Sequence, residues 1–240
     1  LLLEPIVLGL MLVSTVPGLF VSLAATGAFL ARHPFKLAVG DWRRNRNTAR
    51  TLAAQRFAIV YVCIAILGLV FAIKTGGAAF LLPLLFAAPA VLVQLFYDSM
   101  GRSRALIPEL AASISTGAVA TAIAISGGWQ RPVAFGLWAI LAARAVPTIL
   151  YVRARLRLLH GKQASPSGVM IVHLLAVLVV IGLATVRLAP VPAVLAMIIL
   201  LLRAVIGFSK SDRHVTAKKI GLREVVFGAM TIFFVAFGYA

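Results

Sequence analysis

Long apolar runs separated by short polar breaks organise this chain. An apolar stretch over 1–14 meets a break at Ser14-Thr15-Val16-Pro17-Gly18. Further runs cover 18–38, 57–73, 78–97, 108–126, 133–152, 168–186, 193–208 and 225–240. A spanning helix needs about 20 mostly apolar residues. The pattern therefore predicts an all-α fold, a polytopic transmembrane helical bundle of about nine helices, in a single integral membrane domain over 1–240. The first run is too short to span by itself, so its helix is expected to begin upstream, and no signal peptide is expected. Pro34 is expected to end or kink the second helix near Arg32. Pro83 and Pro89 are expected to kink the fourth. Pro108 suits a first helical turn, and Glu109 beside it favours the positive end of the helix dipole.

Composition agrees with the pattern. Apolar residues make up 62% of the chain, against about 45–50% in soluble domains, and the mean hydropathy is +1.06. The formal charge of +17 comes from 23 Lys and Arg against 6 Asp and Glu. In a soluble protein that excess would suggest nucleic acid. Here the bases flank apolar runs, so no nucleic-acid partner is expected. All but five of the 23 fall at one set of helix ends or in the loops that join them, which include Arg43, Arg44, Arg46, Arg153, Arg155, Arg157, Lys210 and Arg213. Lys74, Arg131 and Arg187 occupy the opposite turns, and Arg144 and Arg203 lie inside runs. This asymmetry predicts a base-rich cytoplasmic side, with the N-terminus inside and the C-terminus outside. Membrane lipids, including anionic headgroups, are the expected partners of the loop arginines. Cys63 stands alone and is expected to be a buried, inert thiol.

Charge inside a bilayer costs about 2.5–3.5 kcal/mol at a helix centre and usually faces a cavity or a partner. The polar residues within or beside the runs share one depth. Arg32, His33 and Lys36 end the second run, with Asp41 just beyond. Asp98 ends the fourth and Glu109 begins the fifth, with Arg102 and Arg104 between them. Arg144 precedes the base-rich end of the sixth, His173 follows the start of the seventh, and Arg203 comes near the end of the eighth. These residues are expected to line one polar, net basic pocket at the cytoplasmic side. Asp98 and Glu109 are expected to pair with arginines, with Arg144, Arg102 and Arg104 as candidates. An excess of guanidinium groups suits an anionic ligand such as a phosphate headgroup, a diphosphate or a carboxylate. No carboxylate cluster with magnesium-binding character, no Walker-type glycine loop and no thiol pair is legible. No metal site and no cofactor are assigned.

Several motifs in order resemble the YwiC-like family of bacterial integral membrane proteins. They are His33-Pro34-Phe35-Lys36 followed by Asp41, then Asp98-Ser99-Met100-Gly101-Arg102-Ser103-Arg104 running into Pro108-Glu109-Leu110. Gly127-Gly128-Trp129 and Ala142-Ala143-Arg144-Ala145-Val146-Pro147 continue the match. The resemblance implies a multi-pass protein of the bacterial cytoplasmic membrane. A more distant resemblance, to UbiA-type intramembrane prenyltransferases, implies nine helices and a cavity open to the cytoplasm. The carboxylate-rich motifs of those enzymes would fall near Arg32–Arg46 and Arg144–Arg157. Here the first keeps Asp41 alone and the second keeps no carboxylate.

Besides a small-anion transporter, for which Pro83 and Pro89 of the fourth run are the one hint, two functional expectations follow. One is a binder of, or transferase acting on, an anionic lipid or isoprenoid. In it Arg144, Arg102 and Arg104 hold the anion, and Asp98, Glu109 or His33 serve as polar partners. The other is an accessory or structural subunit bound to other membrane protein subunits.

Overall fold

The computed structural model of the 240-residue chain describes residues 2–43, 45, 48–209 and 215–240. Arg44, Arg46, Lys210 and Arg213, which the sequence assigns to basic loops, lie outside the described residues. Among those described there are nine helices and no strand: α1 Leu3–Leu12, α2 Val16–Arg43, α3 Ala49–Gly76, α4 Leu81–Ser99, α5 Leu106–Ser126, α6 Arg131–Leu159, α7 Pro166–Thr185, α8 Val191–Gly207 and α9 Ala217–Tyr239. Local chemistry sets several boundaries. Thr48 and Thr51 form a reciprocal capping box at the start of α3. Ser165 caps α7 and Thr216 caps α9. Proline occupies the first turn of α6, α7 and α8, where its missing N–H costs nothing.

Six helices (α3, α4, α5, α6, α7 and α9) are long and apolar enough to cross a membrane. Helices α1 and α8 are apolar but shorter, and the second half of α2 carries Arg32, Lys36, Asp41 and Arg43. Pro34 does not end α2 near Arg32. The helix continues to Arg43, with Pro34 buried inside it. A packed membrane helix tolerates the one backbone bond that proline removes.

Helix α5 is the hub. Small residues (Ala111, Ala112, Ser113, Gly117, Ala118, Ala120, Ala122 and Ala124) allow α1, α2, α4 and α6 to close around it. Small side chains are how helix backbones approach where lipid removes most of the hydrophobic drive. Two hydrogen bonds fix the α5–α6 pair: Trp138 Nε1 donates to the Ile114 carbonyl (2.7 Å) and Thr121 Oγ1 to the Ala134 carbonyl (3.0 Å). Helices α2 and α3 form a hairpin in equally close contact. A Cβ built on Gly27 would stand 2.8 Å from the Tyr61 carbonyl oxygen, and one on Gly68 2.9 Å from that of Phe20. The outer faces of α3 and α4 are uncovered by protein and carry Phe57, Ile59, Ile66, Leu85, Phe86 and Leu92. In water so large an apolar surface would be an anomaly. In a bilayer it is the lipid-facing side. Cys63 is exposed on α3 rather than buried, because this helix packs chiefly against α2 alone.

Candidate functional site

Five of the chain's six carboxylates fall among the described residues, and four of them form salt bridges at one end of the bundle. The first pair joins α2 to α4. Arg32 Nε donates to Asp98 Oδ2 at 2.7 Å, and its Nη2 stands 2.6 Å from the same oxygen. Gln94, with its amide oxygen turned inward, accepts from Arg32 Nη1 (2.5 Å) and Nη2 (2.9 Å). Lys36 Nζ lies 3.8 Å from Asp98 Oδ1 and donates to Ser103 Oγ at 2.5 Å. The buried Asp98 therefore anchors two helices and the turn between α4 and α5. The second pair joins α5 to α6. Arg153 Nη1 donates to Glu109 Oε2 (2.5 Å) and to the Arg104 carbonyl (3.2 Å).

A groove of about 660 Å³ lies between these two pairs. Its charged lining is Arg32, Arg104, Arg153 and Arg157 against Glu109, with Gln94, Ser103 and Ser165 adding neutral polar groups. Leu106, Pro108, Ala112, Leu150, Val152 and Leu156 make its apolar wall. The side chains of Arg104 and Arg157 are exposed.

A second, buried network ties α1, α6, α7, α8 and α9 together. Arg144 makes a forked pair with Glu4, Nη2 to Oε1 at 3.0 Å and Nη1 to Oε2. Gly228 of α9 leaves room for this pair, since a Cβ there would come within 2.8 Å of Arg144 Nη2. Nearby, Arg203 Nη1 donates to Glu224 Oε2 at 2.5 Å, and Nη2 lies 3.3 Å from His173 Nε2. His173 Nδ1 stands 2.9 Å from the Val169 carbonyl. A carbonyl only accepts, so Nδ1 carries the proton and the bare Nε2 accepts from Arg203. The Arg203 guanidinium also lies over the Tyr151 ring, 4.3 Å from its centroid, a cation–π contact. Arg155 donates to the Gly207 carbonyl and links α6 to α8. Arg144, Tyr151 and Arg155 are spaced seven and four residues apart, one stripe of α6.

The sequence-selected residues thus divide. Arg104 and Glu109 line the groove, and Asp98 and Lys36 stand behind it through Arg32 and Ser103. Arg144, His173 and Arg203 belong to the buried network. Asp41 is apart from both, accepting from Thr51 Oγ1 (2.8 Å) at the α2–α3 turn. His33 and Arg102 are exposed. The expected partners of the carboxylates differ too. Asp98 takes Arg32 and Lys36, and Glu109 takes Arg153, while Arg144 is claimed by Glu4. Arg153 sits nearer the end of α6 than Arg144 and so is level with the first turn of α5. Sequence reasoning missed Gln94, Arg153, Arg157, Tyr151 and Glu224 as site residues. The last apolar run starts at residue 225 and leaves Glu224 outside it, but α9 begins at Ala217, and the capping residue Thr216 is the legible sign of it. Among the described residues no three His, Cys, Asp or Glu side chains gather in a way that suits a metal ion.

An all-helical bundle with apolar outer faces, six helices of spanning length and its ion pairs gathered at one end is an integral membrane protein. The family model described as YwiC-like protein matches residues 1–124, just over half the chain, and the chain belongs to the YwiC-like family. That match takes in α1 to α4 and all but the last two residues of α5, including Arg32, Asp98, Arg104 and Glu109. No curated protein and no solved structure matches the chain.

Proposed function

We propose that this protein binds an anionic amphiphile, a lipid or isoprenoid carrying a charged head, in the groove between α2, α4, α5 and α6. The base-rich end faces the cytoplasm in this reading, in a bacterial inner membrane, with the N-terminus inside and the C-terminus outside. One observation carries it: a groove of about 660 Å³ lined by four arginines and a single glutamate beside an apolar wall. Guanidinium groups offer planar paired donors that suit phosphate and carboxylate oxygens. The wall of Leu106, Pro108, Leu150 and Val152 suits the first methylenes of a tail.

Native mass spectrometry of protein released from its own membrane in mild detergent tests the reading. One retained anionic lipid per chain is the expected result. Only zwitterionic lipid, in the proportions of the surrounding membrane, would count against it. A second reading, an accessory subunit, draws support from the largely uncovered α3, which packs chiefly on α2. In the same spectra that reading requires partner chains at fixed stoichiometry.

A further inference from the structure

The charges around the groove are not equivalent. Arg32 is bonded to Asp98 and Gln94, and Arg153 to Glu109 and the Arg104 carbonyl. Each of these two arginines is balanced by a carboxylate and held in place by it. Arg104 and Arg157 line the same groove, and among the described residues neither guanidinium has an acidic partner. Glu109 is the one acidic residue in the lining, and Arg153 already takes it up. The lining therefore presents two arginines held by carboxylates, which fix its shape, and two without one, which give the lining an excess close to +2, with Lys36, which shares Asp98 with Arg32, adding positive charge behind it.

We infer that the groove selects a lipid phosphomonoester, a doubly charged terminal phosphate on an apolar tail, over the singly charged phosphodiester headgroups of bulk anionic lipids. This deepens the anionic-amphiphile reading and rests on it. A phosphomonoester carries about −1.5 to −2 charge at neutral pH and three acceptor oxygens. A phosphodiester carries a single charge and two such oxygens, and a carboxylate likewise. Two unbalanced guanidinium groups match the dianion in charge and leave a monoanion with one of them unanswered. The apolar wall distinguishes a lipid from free phosphate, because inorganic phosphate would leave Leu106, Pro108, Leu150 and Val152 uncovered.

The test compares phosphatidic acid, phosphatidylglycerol and phosphatidylcholine with identical acyl chains, added to delipidated protein and read by native mass spectrometry. Phosphatidic acid is expected to bind about tenfold more tightly than phosphatidylglycerol, the effect of one further charge-assisted contact. The preference should shrink when the pH falls from about 8 to about 5, because the second ionisation of a phosphomonoester lies near 6. Arg104→Gln with Arg157→Gln, both on exposed side chains, should bring the two anionic lipids to equal affinity. Equal retention of phosphatidic acid and phosphatidylglycerol by the unaltered protein, both above phosphatidylcholine, overturns the dianion inference and leaves the anionic reading standing. Equal retention of all three overturns both. Inorganic phosphate that displaces phosphatidic acid at comparable concentration would overturn the lipid as the source of the phosphate.

Discussion

Arg144 is a buried cation whose role can be separated from ligand binding. Its two terminal nitrogens are taken by Glu4, its side chain is only 10% exposed, and Gly228 closes over the pair. Removing one partner of a fully buried pair leaves an uncompensated charge and costs about 3–5 kcal/mol, and with the Glu4 side chain 30% exposed the cost here falls below that range, whereas removing both partners costs less still. Arg144→Ala should therefore lower the detergent-phase melting temperature markedly, and adding Glu4→Ala should restore much of it. An Arg144→Ala protein of unaltered melting temperature that no longer retains lipid would instead make Arg144 a ligand-binding residue. The depth of Arg144 was legible in the sequence because a charge inside an apolar run has to be answered. Its partner was not. Pairing depends on how α1 and α9 are rotated against α6, and no spacing along one helix encodes that.

At the scale of elements, the α2–α3 hairpin depends on two positions where backbone meets backbone. A methyl group on Gly68 would press to 2.7 Å from the Ala24 nitrogen, and backbone cannot swing aside as a side chain can. Overpacking of this kind costs about 1–3 kcal/mol. Gly68→Ala should lower the detergent-phase melting temperature and speed proteolytic cutting at the α2–α3 turn, while Gly221→Ala, which has open space around it, should do neither. Helix number and order were readable from apolar runs, since each run has to bury or coat its backbone in lipid. The ends were read too short wherever charge begins. Helix α2 continues through Pro34 to Arg43, α6 through Arg153, Arg155 and Arg157, and α9 starts ahead of Lys218 and Lys219. In each case the helix outlasts the apolar run, and for α6 and α9 capping residues (His160 with Gly161, and Thr216) rather than hydropathy mark the boundary. For this reason the apolar pattern leaves Glu224 outside the buried network and places Arg153 in a loop, where the structure makes Glu224 the partner of Arg203 and Arg153 the partner of Glu109.

For the whole molecule, the long helices and the basic residues have a common cause. Helices α2, α3 and α6 contain 28, 28 and 29 residues. At about 1.5 Å per residue each exceeds a hydrocarbon core of about 30 Å by about two turns. Those extra turns carry Arg43, Arg50, Arg56, Arg153, Arg155 and Arg157, and all of them project at the same end. The carboxylates gathered there pair with bases that sit among packed helices, while Arg102, Arg104 and Arg157 stay exposed. Positive charge resists translocation, so this end should remain in the cytoplasm and the C-terminal end of α9 should emerge on the far side. Alkaline phosphatase fused after Ala240 should then be active in intact bacteria, and a green fluorescent protein fused at the same point should stay dark. The opposite pair of results would turn the groove away from the cytoplasm. Its ligand would then have to be drawn from the outer leaflet, and the accounting of basic residues by the cytoplasmic surface would no longer explain why four arginines meet at that groove.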